Sequence, residues 1–164
     1  MEKEKLIYIA INEQLFEEIR FGDFLPAMQS YAQVERWTGP GNPPLEVILD
    51  TVQRAEVLVT GWGTPGLAEP LLQWSPETSP LRLLAHTAGS IHHLVKKETL
   101  ERGLLVTHAN ESLAEAVAEY TLGAFLAMRR QMFLCFERFK DQKPAPSFRV
   151  MNELPGSVIG IIGA

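Results

Sequence analysis

Apolar positions along the chain fall in short unbroken runs, and between them lie stretches where they recur every three or four residues. That alternation is the layout of a parallel sheet covered by helices. Leu6 to Ile11 predicts a first strand, Asn12 a helix cap, and Leu15, Phe16 and Ile19 one side of a helix over Glu13 to Arg20. A weaker strand is expected at Gln33 to Trp37, then a turn at Gly39-Pro40-Gly41-Asn42-Pro43-Pro44 and a helix carrying Leu45, Ile48, Leu49 and Val52 at helical spacing. Val57-Leu58-Val59 predicts a third strand, which opens into Gly61-Trp62-Gly63-Thr64-Pro65-Gly66. After a loop at Ser75 to Pro80, a fourth runs from Leu81 to His86 and ends at Thr87-Ala88-Gly89-Ser90. A helix is expected from there to Arg102, stopped by Gly103, ahead of a fifth strand over Leu104 to Thr107. These units predict an α/β fold: a flavodoxin-like, doubly wound, parallel five-stranded sheet whose ligands bind outside the carboxyl ends of the strands.

The last third is patterned differently. Ser112 and Glu115 make a capping box for a helix continuing to about Lys140. From Ala114 to Met128 it is apolar on nearly every side, so burial all round is expected, against a second domain or subunit. Lys143-Pro144-Ala145-Pro146 reads as a linker, and Ser157 to Ile162 as a further buried strand running into Gly163. A dinucleotide-binding turn opens in this way, but it requires two more glycines and a helix. The chain is therefore expected to be the front part of a longer protein, with a sheet domain at 1–110, an interdomain helix at 111–141, and a linker and first strand of a truncated nucleotide-binding domain at 142–164.

Composition narrows the classes. A net charge of −5 with 46% hydrophobic residues argues against a nucleic-acid surface, and no stretch approaches the roughly 20 apolar residues of a membrane span. The single cysteine, Cys135, lies in an apolar helical stretch and reads as a small buried hydrophobe, which suits a reducing, cytoplasmic setting. His86, His92 and His93 cluster around one loop without acidic or cysteine companions at zinc spacing, so no metal site is expected.

Three segments, in order, resemble the D-isomer-specific 2-hydroxyacid dehydrogenases. They are Ala85-His86-Thr87-Ala88-Gly89-Ser90-Ile91-His92-His93-Leu94, then Gly103-Leu104-Leu105-Val106-Thr107-His108-Ala109-Asn110 with Ala116-Val117-Ala118-Glu119-Tyr120, then Gly160-Ile161-Ile162-Gly163. Ile91 stands where the family often has an acidic residue, and His108-Ala109-Asn110 where it has an Asn-Thr-Pro-like run, departures that bear on the substrate subclass. The resemblance implies NAD(P)-dependent reduction of a 2-keto acid to a D-2-hydroxy acid by the parent protein, usually a homodimer. It places the catalytic histidine, its acidic partner and the substrate arginine beyond this sequence, so the chain alone is expected to be inactive and to bind neither NAD nor NADP.

Within the chain, the resemblance assigns the backbone N–H groups around Ala88 and Gly89 to a carboxylate clamp and Gly163 to the cofactor turn; Gly61-Trp62-Gly63-Thr64 emerges beside the clamp loop at the same end of the sheet, so Trp62 and Gly63 are expected to form another wall of the substrate cleft. Bland readings stand beside these: a strand-to-helix turn needing Gly89 only for its dihedrals, and Trp62 packed on a partner domain. A non-catalytic flavodoxin-like binding or oligomerisation module is the alternative for the whole.

Overall fold

In the computed structural model, which describes residues 5–146 and 153–162, β1 (Leu6–Ala10), β2 (Gln33–Arg36), β3 (Val57–Thr60), β4 (Leu83–His86) and β5 (Leu105–Thr107) form one sheet in the order β2-β1-β3-β4-β5. Every pairing is parallel. This is the predicted flavodoxin-like order, with strand direction of growth reversing between β1 and β3.

Both faces of the central strands are covered, which is why their sequences are apolar without alternation. Leu6, Tyr8, Ala10, Leu58 and Leu84 point into one cluster with Ile48 and Val52 of α3 (Leu45–Val52), Leu71 of the 3-10 turn Pro70–Gln73, and Leu94. Ile9, Ile11 and Val59 point into the other, with Leu15 and Phe16 of α1 (Glu13–Glu18) and Phe21 of the 3-10 turn Phe21–Phe24. A short α2 (Leu25–Gln29) adds Leu25 and Met28 to that second cluster.

Asn12 caps α1 as predicted, its Oδ1 accepting the Leu15 N–H at 2.7 Å. That helix stops at Glu18 rather than Arg20, because Arg20 turns the chain through a left-handed conformation at φ 53°. The helix expected from Ser90 to Arg102 shrinks to α4 (Lys97–Glu101), although Gly103 does follow it at φ +100°. Residues 90–95 turn instead, and the His93 carbonyl accepts the N–H groups of Leu67 at 2.8 Å and Ala68 at 3.1 Å. A tertiary partner outcompetes the helix there.

The chain divides into two compact units, Met1–Leu113 and Ala114–Ala164. The long helix predicted over Ser112 to Lys140 is two helices, α5 (Asn110–Arg129) and α6 (Met132–Lys140), broken where Gln131 adopts φ 53°. The start at Asn110 puts Ser112 inside the helix, so the capping box is not the true beginning. Neither helix buries a residue: Val117, Tyr120, Met128, Phe133, Phe136 and Phe139 are all exposed. Apolar side chains spread all round a helix define no single stripe, so no common face holds its two halves in line. Cys135, in α6, is half-buried rather than a core residue.

Residues 157–162 form no strand, and Val158 and Ile162 are fully exposed. A strand exists only through a neighbour that takes its hydrogen bonds, and none of the described residues pairs with this ribbon. Gly163 lies outside the described residues. Among the described residues, no helix is long and apolar enough to cross a membrane.

Candidate functional site

The loops at the carboxyl ends of β3 and β4 are built to lie close. After β3, the Thr64 hydroxyl donates to the Gly61 carbonyl at 2.8 Å and accepts the Gly61 N–H at 3.1 Å, closing a turn that holds Trp62 out at 55% exposure. Gly61 is wedged: a Cβ there would sit 2.7 Å from Leu15 Cδ2 and 2.9 Å from both Ile11 Cγ2 and Thr87 Oγ1. Gly63 needs its φ of +82°, and a side chain would also run into the Asn42 amide. Asn42 in turn accepts a hydrogen bond from Asn12 Nδ2, which ties this loop to the cap of α1.

After β4, Thr87 donates twice to the Thr60 carbonyl, from N–H at 2.8 Å and from Oγ1 at 3.0 Å. The Ala88 carbonyl accepts the Ala109 N–H at 2.9 Å. Gly89 does not have a positive φ, so its glycine is not a matter of dihedrals. The reason is proximity, since a Cβ would lie 2.7 Å from Asn110 Oδ1. Among the described residues, no hydrogen bond engages the N–H groups of Ala88, Gly89 or Ser90.

These loops enclose a cavity of about 180 Å³. All four of Trp62, Gly63, Ala88 and Gly89 line it, together with Gly61, Ser90, His86 and His93. In the sheet unit two larger hollows, about 340 Å³ beside Trp74 and Ser79 and about 670 Å³ beside Lys5 and Gln33, lie at the opposite, amino ends of the strands, away from the crevice that such a sheet offers to ligands.

His86 is the polar side chain left without a role in the sequence reading once its histidine cluster fails as a metal site on spacing. It is buried at the end of β4, directly across the register from Thr60 of β3, and its Nδ1 lies 2.9 Å from Thr60 Oγ1. The hydrogen between them is assigned by elimination. Thr60 is fully enclosed, and among the described residues its hydroxyl has no other partner. Were the ring the donor, the hydroxyl hydrogen would be sealed in without an acceptor, at a cost of about 1–3 kcal/mol. Thr60 therefore donates to Nδ1, and neutral His86 carries its proton on Nε2.

Burial holds the His86 pKa below the ordinary imidazole value, and His93 and His108 push it the same way. The His86 and His93 rings meet edge to face with centroids 5.8 Å apart. The only available sequence signal was a polar residue closing an otherwise apolar strand. Among the described residues, no three His, Cys, Asp or Glu side chains are grouped to hold a metal ion.

Gly163, which the sequence relates to a nicotinamide cofactor, lies outside the described residues, and those leading up to it do not make the opening of such a site. A pyrophosphate site requires a strand, a tight glycine turn and a helix N-terminus. Residues 157–162 make no strand, and Gly160 has nothing within 4 Å of where a Cβ would stand.

No family model matches the chain. A glyoxylate reductase of Thermococcus litoralis is 27% identical over 143 residues, covering 83% of this chain and 42% of that protein. Another, of Pyrococcus furiosus, is 30% identical over 139 residues, 80% of this chain and 40% of its own length. The D-lactate dehydrogenase of Aquifex aeolicus, solved with NAD and lactic acid, superposes with a TM-score of 0.64 at 18% identity, over 91% of this chain and 41% of that one. The chain is related to the N-terminal part of the D-isomer-specific 2-hydroxyacid dehydrogenases. It spans about two fifths of the length of the curated relatives it matches. The structural likeness carries the fold, and the relation to this dehydrogenase family rests on the sequence matches.

Proposed function

We propose that the chain is the substrate-side part of an NAD(P)-dependent oxidoreductase acting on the CH–OH group of D-2-hydroxy acids, in the direction of 2-keto acid reduction. One observation carries the reading. The cavity at the carboxyl ends of β3 and β4 brings Trp62 and Gly63 together with Ala88 and Gly89, beside N–H groups that no described residue engages.

A carboxylate needs several donors converging on a small, sheltered space, and successive amides in a turn provide them without adding a compensating charge. Gly89 brings this loop against the start of α5, while Gly61 and Gly63 let the facing loop pass close by. Trp62 forms a broad apolar wall able to select the substrate's side chain by size. A bound nicotinamide supplies the hydride in such a reaction. In this reading the chain's own part is to bind and orient the acid, and the chain by itself is inactive. The reading includes assembly of the whole protein as a homodimer, and the domain limits expected from the sequence.

The test is reduction of glyoxylate, pyruvate and hydroxypyruvate with NADH and with NADPH, by this chain and by the same chain extended through any coding sequence after Ala164. We expect no turnover from the first and turnover from the second. Turnover by the short chain, an extended protein silent on all three acids, or a gene that ends at Ala164 overturns the proposal.

A further inference from the structure

We propose that His86 is the side-chain donor of this substrate site, presenting Nε2–H to an oxygen of the keto acid's carboxylate alongside the loop N–H groups of residues 88–90. The inference rests on the proposed function and adds a binding residue to it.

Three features of the geometry point to it. His86 lines the cavity itself, not merely the strand beneath it. Its inner nitrogen is fixed by Thr60, so the ring cannot turn over without stranding that hydroxyl. The outer nitrogen makes no hydrogen bond to any described residue and is not among the buried atoms left without a partner, so it reaches the open space of the cavity. A buried imidazole with one nitrogen clamped and the other open is a directed donor, whose orientation costs little entropy on binding.

The surroundings give the interaction a pH signature. The charged or titratable side chains that act on His86 are His93 and His108, and each disfavours a second proton on it. An anion at Nε2 opposes both and favours that proton, which enters at Nδ1 and turns the Thr60 hydroxyl from donor to acceptor. Binding is therefore linked to proton uptake, and affinity rises as pH falls through the imidazole range.

The experiment titrates oxamate, an unreactive analogue of pyruvate, into the 164-residue chain labelled with 15N, reading the backbone amides and the histidine ring nitrogens by NMR. The free chain should show His86 as the Nε2–H tautomer. Oxamate should then shift the amides of Ala88, Gly89 and Ser90 together with the His86 ring, with affinity rising at lower pH. His86→Leu should weaken oxamate about tenfold or more, and His86→Gln, which retains a donor, should lose much less. Should His86→Leu fail to fold, Thr60→Val decides: it preserves the shape but releases the tautomer, and should weaken binding severalfold. The pH-linked rise should survive His93→Gln and His108→Gln.

If the loop amides respond while the His86 ring does not, if Thr60→Val and the His86 variants bind as the parent does, or if the pH effect follows His93 or His108, the inference is overturned and the cavity remains a keto-acid site. If no amide in the loop responds, both the inference and the proposed site are overturned.

Discussion

Gly61 meets side chains on three sides: Leu15, Ile11 and Thr87 all stand within 2.9 Å of an added Cβ. Two of these belong to the packed core, where side chains have little room to move. Gly61→Ala should therefore cost about 1–3 kcal/mol in urea unfolding, the range of an overpacked core. The corresponding change at Gly89 meets only the end of the Asn110 side chain, which can swing aside. His86 makes a prediction of a different kind. Its folded pKa lies below its unfolded one, so at acid pH the unfolded chain takes up a proton that the folded chain resists. Its contribution to stability is complete above the ordinary imidazole pKa of about 6.5 and declines as pH falls below it. Unfolding measured between neutral and mildly acid pH should show that decline, and His86→Gln should flatten it. At this site the sequence carries a local signal where the backbone needs glycine, at Gly63, whereas Gly89 and Ala88 are singled out through the family resemblance. His86 was not legible, because one polar residue at the end of a strand looks the same whether it caps the core or faces a ligand.

At the scale of elements, the central strands were legible because both sheet faces are buried there and leave unbroken apolar runs such as Leu6 to Ile11, whereas the edge strand β2, mixed in composition and partly exposed, is only weakly signalled. Helix α3 was equally plain, since Ile48 and Val52 recur on its inward side. The errors fell where no local pattern governs. Residues 90–95 surrendered their helix to bonds with Leu67 and Ala68, and the break at Gln131 carries neither glycine nor proline to announce it. Arg20 offers a test of such left-handed positions. It follows the end of α1 at φ 53°, where glycine is the common residue. Among the described residues its side chain pairs only with the exposed Asp23, an interaction of little worth. Arg20→Gly should relieve left-handed strain and raise the stability of the sheet unit by about 1 kcal/mol, seen as a higher urea midpoint with an unchanged slope.

For the molecule as a whole, the contrast between its two units governs behaviour in solution. The first encloses large side chains such as Ile48, Leu58 and Leu84 completely, whereas α5 and α6 present Tyr120, Phe133, Phe136 and Phe139 to water. Apolar display on this scale drives association. Sedimentation should show the average mass of the chain climbing with concentration, and the joint change Phe133→Glu with Phe136→Glu should return it toward the monomer without altering the sheet unit's unfolding midpoint. The sheet, finally, acts as a partition. Thr60 and His86 stand on the side packed by α3, and α1 and Phe21 press on the other, so away from Gly61, where Leu15 of α1 comes close to the cavity loop, the two halves of the interior communicate through the ribbon between them. Repacking around Phe21 rather than Leu15 can therefore tune how long the protein survives heat, leaving the imidazole and its chemistry undisturbed on the far side of the wall.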